Sequence, residues 1–496
     1  MSKQNILLPK NVLIVIPDWG LAWYIFCLEH AVRLSKEGVE VSILDLSGLN
    51  PLFYRKRFWK FILRLSQKNR LHDIKKIIAK RYKLNLIQND LSLDSTLTVP
   101  MTEERSIVFL RAMSSKYSYV TGRSDTKIEE IDEKIVGLER YFFYSTIKVI
   151  ENLLEKFNYS EVITVNGRYI VNGAVVQACK ESGFKCSLLE AAGSIAGNYE
   201  IYEISPHDIS SVQIMQNKFW NAAGPEREIT AEKGLDKKIS GLNLPGIDFT
   251  TNFTENFTVP QDLKSHKLAA FFPSSEREFA IFPEFSWWNS FKGSQEEAFV
   301  AFCRVARSNG YRVIVRVHPV DRKSPQKAQD VFAKIENTIW QKLCEETESE
   351  MIACESKINS YDLINKVDLC ATYASSISVE CILLGKPTLI LGESEISNLV
   401  PEICAFNEAT LVQKFNEGIP TIEKRALYPY GYWLQAAGKR LELFNFVSDQ
   451  ELYFCGELVN EYRIWVRPLV TLKTTYKKVH SKLFKGKARN YHSTGS

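Results

Sequence analysis

Short apolar runs alternate with helix-length amphipathic segments along this chain, and this alternation is the feature that most restricts its fold. The run NVLIVIP (11–17) precedes a predicted helix over 21–38, and VEVSILDL (39–46) follows it. A strand, a helix and a second strand in this order form a βαβ unit, whose two strands are parallel and flanked by helices. The sequence therefore predicts an α/β fold.

The alternation restarts in the second half, which predicts two doubly wound domains. KLAAFFP (267–273), RVIVRVHP (312–319), DLCATY (368–373) and TLILG (388–392) read as strands separated by helix-length segments. Between the two halves, residues 236–265 are rich in Gly, Pro, Asn and Thr and read as a linker. We predict an N-terminal domain over 1–235 with a helical insertion at about 52–160, a C-terminal domain over 266–425, and C-terminal helices with a basic tail over 426–496.

Composition and missing motifs exclude several classes of protein. The chain has 496 residues, 45% hydrophobic and 24% charged, which is typical of globular domains. Its ten cysteines form no CxxC pair, so we expect reduced cysteines in a cytosolic protein. The N-terminus runs straight into a strand, with no secretory signal or membrane span expected. Neither GxxxxGK[ST] nor GxGxxG occurs, which disfavours a P-loop kinase or a standard dehydrogenase.

Polar side chains follow the strands of the second half at the points where the strands end. In a doubly wound sheet, ligands bind outside the carboxyl ends of the strands, so these side chains are expected to converge on one site. The candidates are Ser274, Ser275 and Glu276 after the first strand, His318 after the second, and Tyr373, Ser375 and Ser376 after the third.

Ser375, Ser376 and Glu380 stand at the start of a predicted helix. Hydroxyls and free N–H groups at such a start favour a phosphate. Glu380 lies one helical turn after Ser376, on the same face, where its carboxylate could accept the hydroxyls of a ribose. The alternative is that the serines only cap the helix.

The order of these motifs resembles that of a known family. SSExEF (274–279), VRVHP (315–319) and YASSxSVExxLLGKPxLxLG (373–392) are similar to the C-terminal half of GT-B glycosyltransferases of bacterial capsule and surface polysaccharide biosynthesis, a group that includes Kdo transferases and sialyltransferases. NGR (166–168) and LLEAAG (188–193) in the first half also resemble this group. The resemblance implies two Rossmann-like domains facing across a cleft, with His318 and Ser375 or Ser376 at the donor phosphate.

No Asp-x-Asp sequence occurs, so we expect a transferase that uses no metal and no other cofactor. Its leaving-group charge would then be offset by protein groups, for which His318, Arg316 and Lys386 are candidates. Arg316 and Lys386 could equally be solvated or salt-bridged.

The catalytic base is expected in the first domain, within reach of the acceptor hydroxyl. Asp18 and Glu190 follow predicted strands and are the two candidates, with Asn166 and Arg168 beside the acceptor. Asp18 could instead cap the next helix, and Glu190 could pair with Arg168.

Two basic segments suggest contact with an anionic surface. Residues 55–83 carry twelve Lys or Arg and one Asp, and residues 462–496 carry nine Lys or Arg and no acid. PLFYRKRFWKFILRLSQKNR (51–70) mixes these charges with apolar residues, as helices that lie on membranes do. We expect a cytoplasmic protein bound peripherally to the inner face of the membrane. The alternative is a helix packed on its own domain, and no recognised fold supports nucleic acid as a partner.

Together these features predict a metal-independent glycosyltransferase that moves a sugar from a nucleotide-sugar donor to a growing, lipid-linked or polysaccharide acceptor. Three alternatives stay open: a nucleotide-sugar epimerase of the same fold, a glycerophosphotransferase that uses CDP-glycerol, and a non-catalytic glycan-binding protein.

Overall fold

The computed structural model describes residues 11–17, 21–47, 71–87, 102–121, 131–193, 198–203, 205–206, 208–240, 254–274, 290–291, 294–319, 326–448 and 451–459. Its helices are α1 (Leu21–Lys36), α2 (71–82), α3 (Glu103–Thr121), α4 (Glu133–Lys156), α5 (Ile170–Glu181), α6 (Ile209–Ala222), α7 (Arg227–Ile239), α8 (Gln295–Ser308), α9 (Gln326–Thr347), α10 (Ser360–Lys366), α11 (Ile377–Leu383), α12 (Glu408–Glu417) and α13 (Tyr428–Ala436).

Its strands are β1 (Asn11–Ile16), β2 (Glu40–Asp45), β3 (Asn85–Ile87), β4 (Glu161–Val165), β5 (Cys186–Ala191), β6 (Asn198–Tyr202), β7 (Lys267–Phe272), β8 (Tyr311–Arg316), β9 (Glu350–Ile352), β10 (Leu369–Tyr373), β11 (Thr388–Gly392), β12 (Lys439–Arg440), β13 (Phe444–Ser448), β14 (Glu451–Phe454) and β15 (Glu457–Leu458).

The strands form two large sheets with the same internal order. The first sheet has the order β3-β2-β1-β4-β5, with these five strands parallel, followed by the antiparallel strands β6 and β12. The second has the all-parallel order β9-β8-β7-β10-β11. Each sheet therefore follows the doubly wound order 3-2-1-4-5, and the predicted fold class of two Rossmann-like α/β units is confirmed.

Local sequence explains why the central strands form. In β1 the run Val12–Ile16 is at most 1% exposed, as expected for a parallel strand covered by helices on both faces. The helices cover these faces with apolar stripes; α8, for example, begins where the Ser294 side chain accepts a hydrogen bond from the backbone of Glu297. Within the described residues, no helix is both long and apolar enough to cross a bilayer.

Two predicted segments differ from the structure. Within the predicted helical insertion, β3 pairs with β2 at the edge of the first sheet, and its three residues are too few to show a strand period. In the described part of the chain after α13, which extends to residue 459, the structure has β12 and the small antiparallel sheet β13-β14-β15 where helices are predicted. The turn between β14 and β15 places Cys455 and Gly456 at positive φ, as type I′ hairpins require, without the usual Asn-Gly signal.

The two halves share one apolar cluster. It contains Leu188 from β5, Ile390 from β11, and residues of α6, α7 and α13. After α13 the chain returns to the first sheet, where β12 pairs with β6. The polypeptide thus connects the two sheets twice.

Helices α7 and α13 cross at two glycines. A Cβ added to Gly234 would collide with the carbonyl oxygen of Gly431, and one added to Gly431 would lie 2.5 Å from the carbonyl oxygen of Ala231. Close approach of the two backbones is possible only because neither residue has a side chain. A similar approach occurs at Gly193, where a Cβ would lie 2.6 Å from the carbonyl oxygen of Trp433.

We expect Gly234→Ala to lower the free energy of unfolding by at least about 2 kcal/mol, because backbone atoms of α13 cannot move aside as a flexible side chain would. The matched control is Gly137→Ala, at an exposed position in α4 with no atom within 4 Å of the added Cβ. That change should raise the free energy of unfolding by about 0.5–1 kcal/mol. Chemical denaturation of both variants measures the difference, and equal effects would contradict the close crossing.

Candidate functional site

The central strands of the second sheet end at one point. The Ser274 hydroxyl, two residues after β7, donates a hydrogen bond of 2.9 Å to the carbonyl oxygen of Ala374, directly after β10. The backbone N–H of Ala374 donates to the carbonyl oxygen of Gly392 at the end of β11, at 3.3 Å. β7 and β10 flank the position where the strand order reverses, and doubly wound sheets bind their ligands there.

The backbone at this point has a shape that few residues adopt. Ala374 has a φ of +47°, in the left-handed region that residues other than glycine rarely occupy. A Cβ added to Gly392 would lie 2.9 Å from the backbone nitrogen of Ala374 and 2.9 Å from the Tyr373 ring. Tyr373 itself is buried and donates its hydroxyl to the carbonyl oxygen of Ser290, at 3.0 Å. Its side chain therefore holds the strand end rather than presenting its hydroxyl to a ligand.

Ser376, at the start of α11, differs from an ordinary helix cap. Ser376 occupies the capping position but its side chain caps no backbone N–H. The carbonyl oxygen of Ser375 accepts a hydrogen bond of 3.0 Å from the hydroxyl of Ser378. The capping alternative therefore does not describe Ser376.

A buried ion pair lies beside Ser376. Lys238, at the end of α7, places its Nζ 3.2 Å from Oε1 of Glu380 and 3.4 Å from Oγ of Ser376. Lys238 is 7% exposed and Glu380 is 5% exposed. No local pattern predicts this pair, because Lys238 lies 142 positions before Glu380 and belongs to the other half of the chain.

Further acidic and phenolic groups surround the pair. Burial raises the pKa of Glu380 and of Glu395, while the charge of Lys238 opposes the rise in both. Burial, and then the carboxylates of Glu190 and Glu395, raise the pKa of Tyr202. Tyr202 therefore lies within electrostatic range of one acid from each half of the chain.

Two basic residues predicted to face the donor bind backbone carbonyl oxygens instead. The guanidinium of Arg316 is buried and donates to three carbonyl oxygens, those of Val317, Ala353 and Ser356. Burial lowers its pKa to about 10. Nζ of Lys386 donates to the carbonyl oxygens of Asn365 and Val367, at 2.8 and 2.9 Å. The expectation that these two residues offset leaving-group charge is therefore not supported, because backbone carbonyls hold both of them.

His318 follows β8, which is the neighbour of β7. Its Nδ1 lies 3.1 Å from the carbonyl oxygen of Pro319. A carbonyl can only accept a hydrogen bond, so Nδ1 is the donor in this contact. The side chain is half-buried, as a group that meets a ligand at a strand end should be.

The first sheet has its own polar cluster at the strand ends. Both oxygens of Glu190, near the end of β5, accept hydrogen bonds: Oε1 from the indole N–H of Trp23 at 3.2 Å, and Oε2 from the side-chain amide of Asn166 at 2.6 Å. Asn166 directly follows β4 and has a φ of +57°. The carboxylate is thereby held in one orientation at the switch point of the first sheet. Trp23 was not predicted, since it lies in α1, far from the motif.

An aromatic pair borders this cluster. The rings of Trp23 and Tyr169 lie 5.6 Å apart between centroids, and the guanidinium of Arg168 lies 5.2 Å from the centre of the Tyr169 ring.

Three predicted site residues, Asp18, Ser275 and Glu276, lie outside the described residues.

No family model matches the chain, and no curated protein does. Several solved structures have detectable similarity to this chain. One is the Thermosulfurimonas dismutans KpsC beta Kdo 2,7 transferase, 11% identical over 57% of this chain and 79% of that one, with a TM-score of 0.32.

Two others bind UDP or its sugar conjugate. The S. aureus MnaA–UDP structure is 12% identical over 87% of this chain and 93% of that one, with a TM-score of 0.25. The Neisseria meningitidis UDP-GlcNAc 2-epimerase bound to UDP-GlcNAc is 12% identical over 93% and 100%, with a TM-score of 0.24. The fold class rests on the two sheets themselves.

The ion pair yields a stability prediction. Lys238→Met and Glu380→Gln should each lower the free energy of unfolding by about 3–5 kcal/mol, because each leaves one buried group without its partner. The double variant removes both charges and should recover most of that loss. Urea unfolding of the wild type, both single variants and the double variant measures the coupling. Additive losses would show that the two side chains do not interact in solution.

Proposed function

We propose that this chain is a metal-independent glycosyltransferase that transfers a sugar from a nucleotide-sugar donor to a growing, lipid-linked surface glycan. The observation that carries the proposal is the pair of switch points, one in each sheet. The second sheet collects hydroxyls and a histidine at its strand ends, and the first collects an oriented carboxylate. A donor phosphate and an acceptor hydroxyl need these two sets of groups.

The donor would occupy the second switch point. Ser375 and Ser376 supply hydroxyls for the phosphate, and Glu380 accepts the ribose hydroxyls. Because Arg316 and Lys386 are held by carbonyl oxygens, His318 is the one predicted positive group left at these strand ends to oppose the charge on the departing nucleotide. Its Nε2–H, when the ring is protonated, would donate to the phosphate oxygen that receives the electron pair of the breaking bond.

The acceptor would occupy the first switch point. Glu190 is held by Trp23 and Asn166 and would take the proton of the acceptor hydroxyl while the oxygen attacks the anomeric carbon. Asp18 is the other candidate for this role. Asn166 and Arg168 would contact the acceptor sugar beside the base. No step in this scheme requires a metal ion, in keeping with the lack of an Asp-x-Asp sequence.

The site predicts a specific kinetic defect. His318→Ala should lower the rate of transfer about a hundredfold or more and change the affinity for the donor little, because the group acts on charge that develops only in the transition state. The matched control is His266→Ala, which removes an exposed histidine before β7. Release of nucleotide from the nucleotide sugar, measured with and without acceptor, gives both parameters.

The same assay separates the alternatives. An epimerase would convert the nucleotide sugar without acceptor, and a glycerophosphotransferase would release CMP from CDP-glycerol. Normal turnover by His318→Ala would remove the histidine from the mechanism.

The membrane is the second part of the proposal. Helix α2 exposes Lys76, Lys80 and Arg81 on its outer face, with Ile77 56% exposed among them. A basic face with an apolar centre fits the surface of an anionic bilayer. The preceding residues, 51–70, are also rich in Lys and Arg.

We expect Lys76→Glu/Lys80→Glu to lower binding to vesicles containing phosphatidylserine at least threefold, with wild-type binding weakening as salt rises. Lys342→Glu, on the exposed face of α9, should leave binding unchanged. Sedimentation with charged and neutral vesicles measures both. Equal binding of wild type to the two kinds of vesicle would contradict an electrostatic contact.

A further inference from the structure

A helix from the N-terminal half supplies a buried cation to the second switch point. Lys238 is in the last turn of α7, which packs against α11 and α13. Its ammonium contacts Oε1 of Glu380 and Oγ of Ser376, two groups one helical turn apart on the same face of α11. One lysine therefore fixes two of the side chains proposed to bind the donor.

The pair leaves one acceptor unused. Oε2 of Glu380 is buried and has no hydrogen-bond partner among the described residues. The Tyr361 hydroxyl interacts with the carboxylate and opposes the rise that burial causes in the pKa of Glu380, but no hydrogen bond of normal geometry joins it to Oε2. A buried acceptor without a donor is costly, so Oε2 has an unfilled place for a hydroxyl donor.

Stability alone is a poor reason for such a pair. Removing two charges from water costs as much as their attraction returns, and apolar residues often serve equally well in the same place. The pair also brings Lys238 close to a second carboxylate, Glu395, whose pKa burial raises. Unlike an apolar residue, Lys238 fixes the orientation of the Glu380 carboxylate.

We propose that Lys238 is a positioning residue of the donor site: by binding Oε1 of Glu380 it turns Oε2 toward a hydroxyl of the donor's ribose. The inference rests on the proposed function, since it requires a nucleotide at the second switch point. If the inference is correct, both halves of the chain form the nucleotide site. Helix α7 must pack against α11 for Lys238 to orient Glu380.

Discrimination between ribose and 2′-deoxyribose tests the proposal. The probe is whichever of CMP, CDP, UDP and GDP binds most tightly, together with its 2′-deoxy analogue. For the wild type we expect the ribonucleotide to bind about tenfold or more tightly, as for a hydrogen bond to a charged group. Lys238→Met should reduce this ratio to about twofold or less, and Lys238→Arg, which retains the charge, should keep part of it. Isothermal titration measures the dissociation constants.

A matched control separates orientation from the general loss of a buried lysine. Lys75 is also buried and paired with a carboxylate, that of Asp45 at the end of β2 in the first sheet. Lys75→Met should leave the ratio unchanged. If Lys238→Met does not fold, Lys238→Gln, which removes the charge and keeps a donor, takes its place with the same expected fall.

The outcomes distinguish the inference from the function on which it rests. If no nucleotide binds, the proposed function fails and the inference fails with it. If a nucleotide binds and the ratio is the same in the wild type and in the neutral Lys238 variants, the donor site stands and Lys238 has no positioning role. A ratio near one in the wild type would show that Glu380 does not contact the 2′-hydroxyl.

Discussion

The order of the parallel strands is the constraint on which the rest of the structure depends. Because each sheet runs 3-2-1-4-5, the chain leaves its first and fourth strands in opposite directions, and the backbone opens between them. In the second sheet this opening lies between Ser274 and Ala374, which a 2.9 Å hydrogen bond joins. In the first sheet it lies beside Asn166, whose amide holds Glu190. Residues a hundred positions apart become neighbours for topological reasons.

The two halves are joined by a contact that tolerates no side chain. Gly234 and Gly431 let α7 and α13 cross with their backbones in contact, and the same helix α7 carries Lys238 to Glu380 a turn later. A change that separated the two helices would also displace the lysine. Gly234, at the crossing, and Lys238, which orients the Glu380 carboxylate, lie four residues apart in α7. The crossing and the orientation of the carboxylate are therefore linked through one helix.

Periodicity predicted the two α/β units, because the spacing of apolar residues is a local pattern. The strand-end residues remain a prediction of where a ligand binds. The sequence could not reveal β3, which has only three residues, two of them exposed, or the β14–β15 turn, which uses Cys455-Gly456. Nor could the sequence show that backbone carbonyl oxygens bind Arg316 and Lys386. A basic residue in a sequence pattern does not indicate whether its side chain binds a ligand or a backbone carbonyl. Lys238 was missed because its partner is distant in sequence.

The central claim is that the second sheet binds a nucleotide at its switch point. Thermal unfolding in the presence of CMP, CDP, UDP and GDP tests it most directly. A ligand at a hundred times its dissociation constant adds about 2.7 kcal/mol to the free energy of unfolding. We expect one of the four nucleotides to raise the melting temperature of the wild type and to raise that of Ser375→Ala/Ser376→Ala much less. No shift with any of the four, or an equal shift in the serine variant, would contradict it.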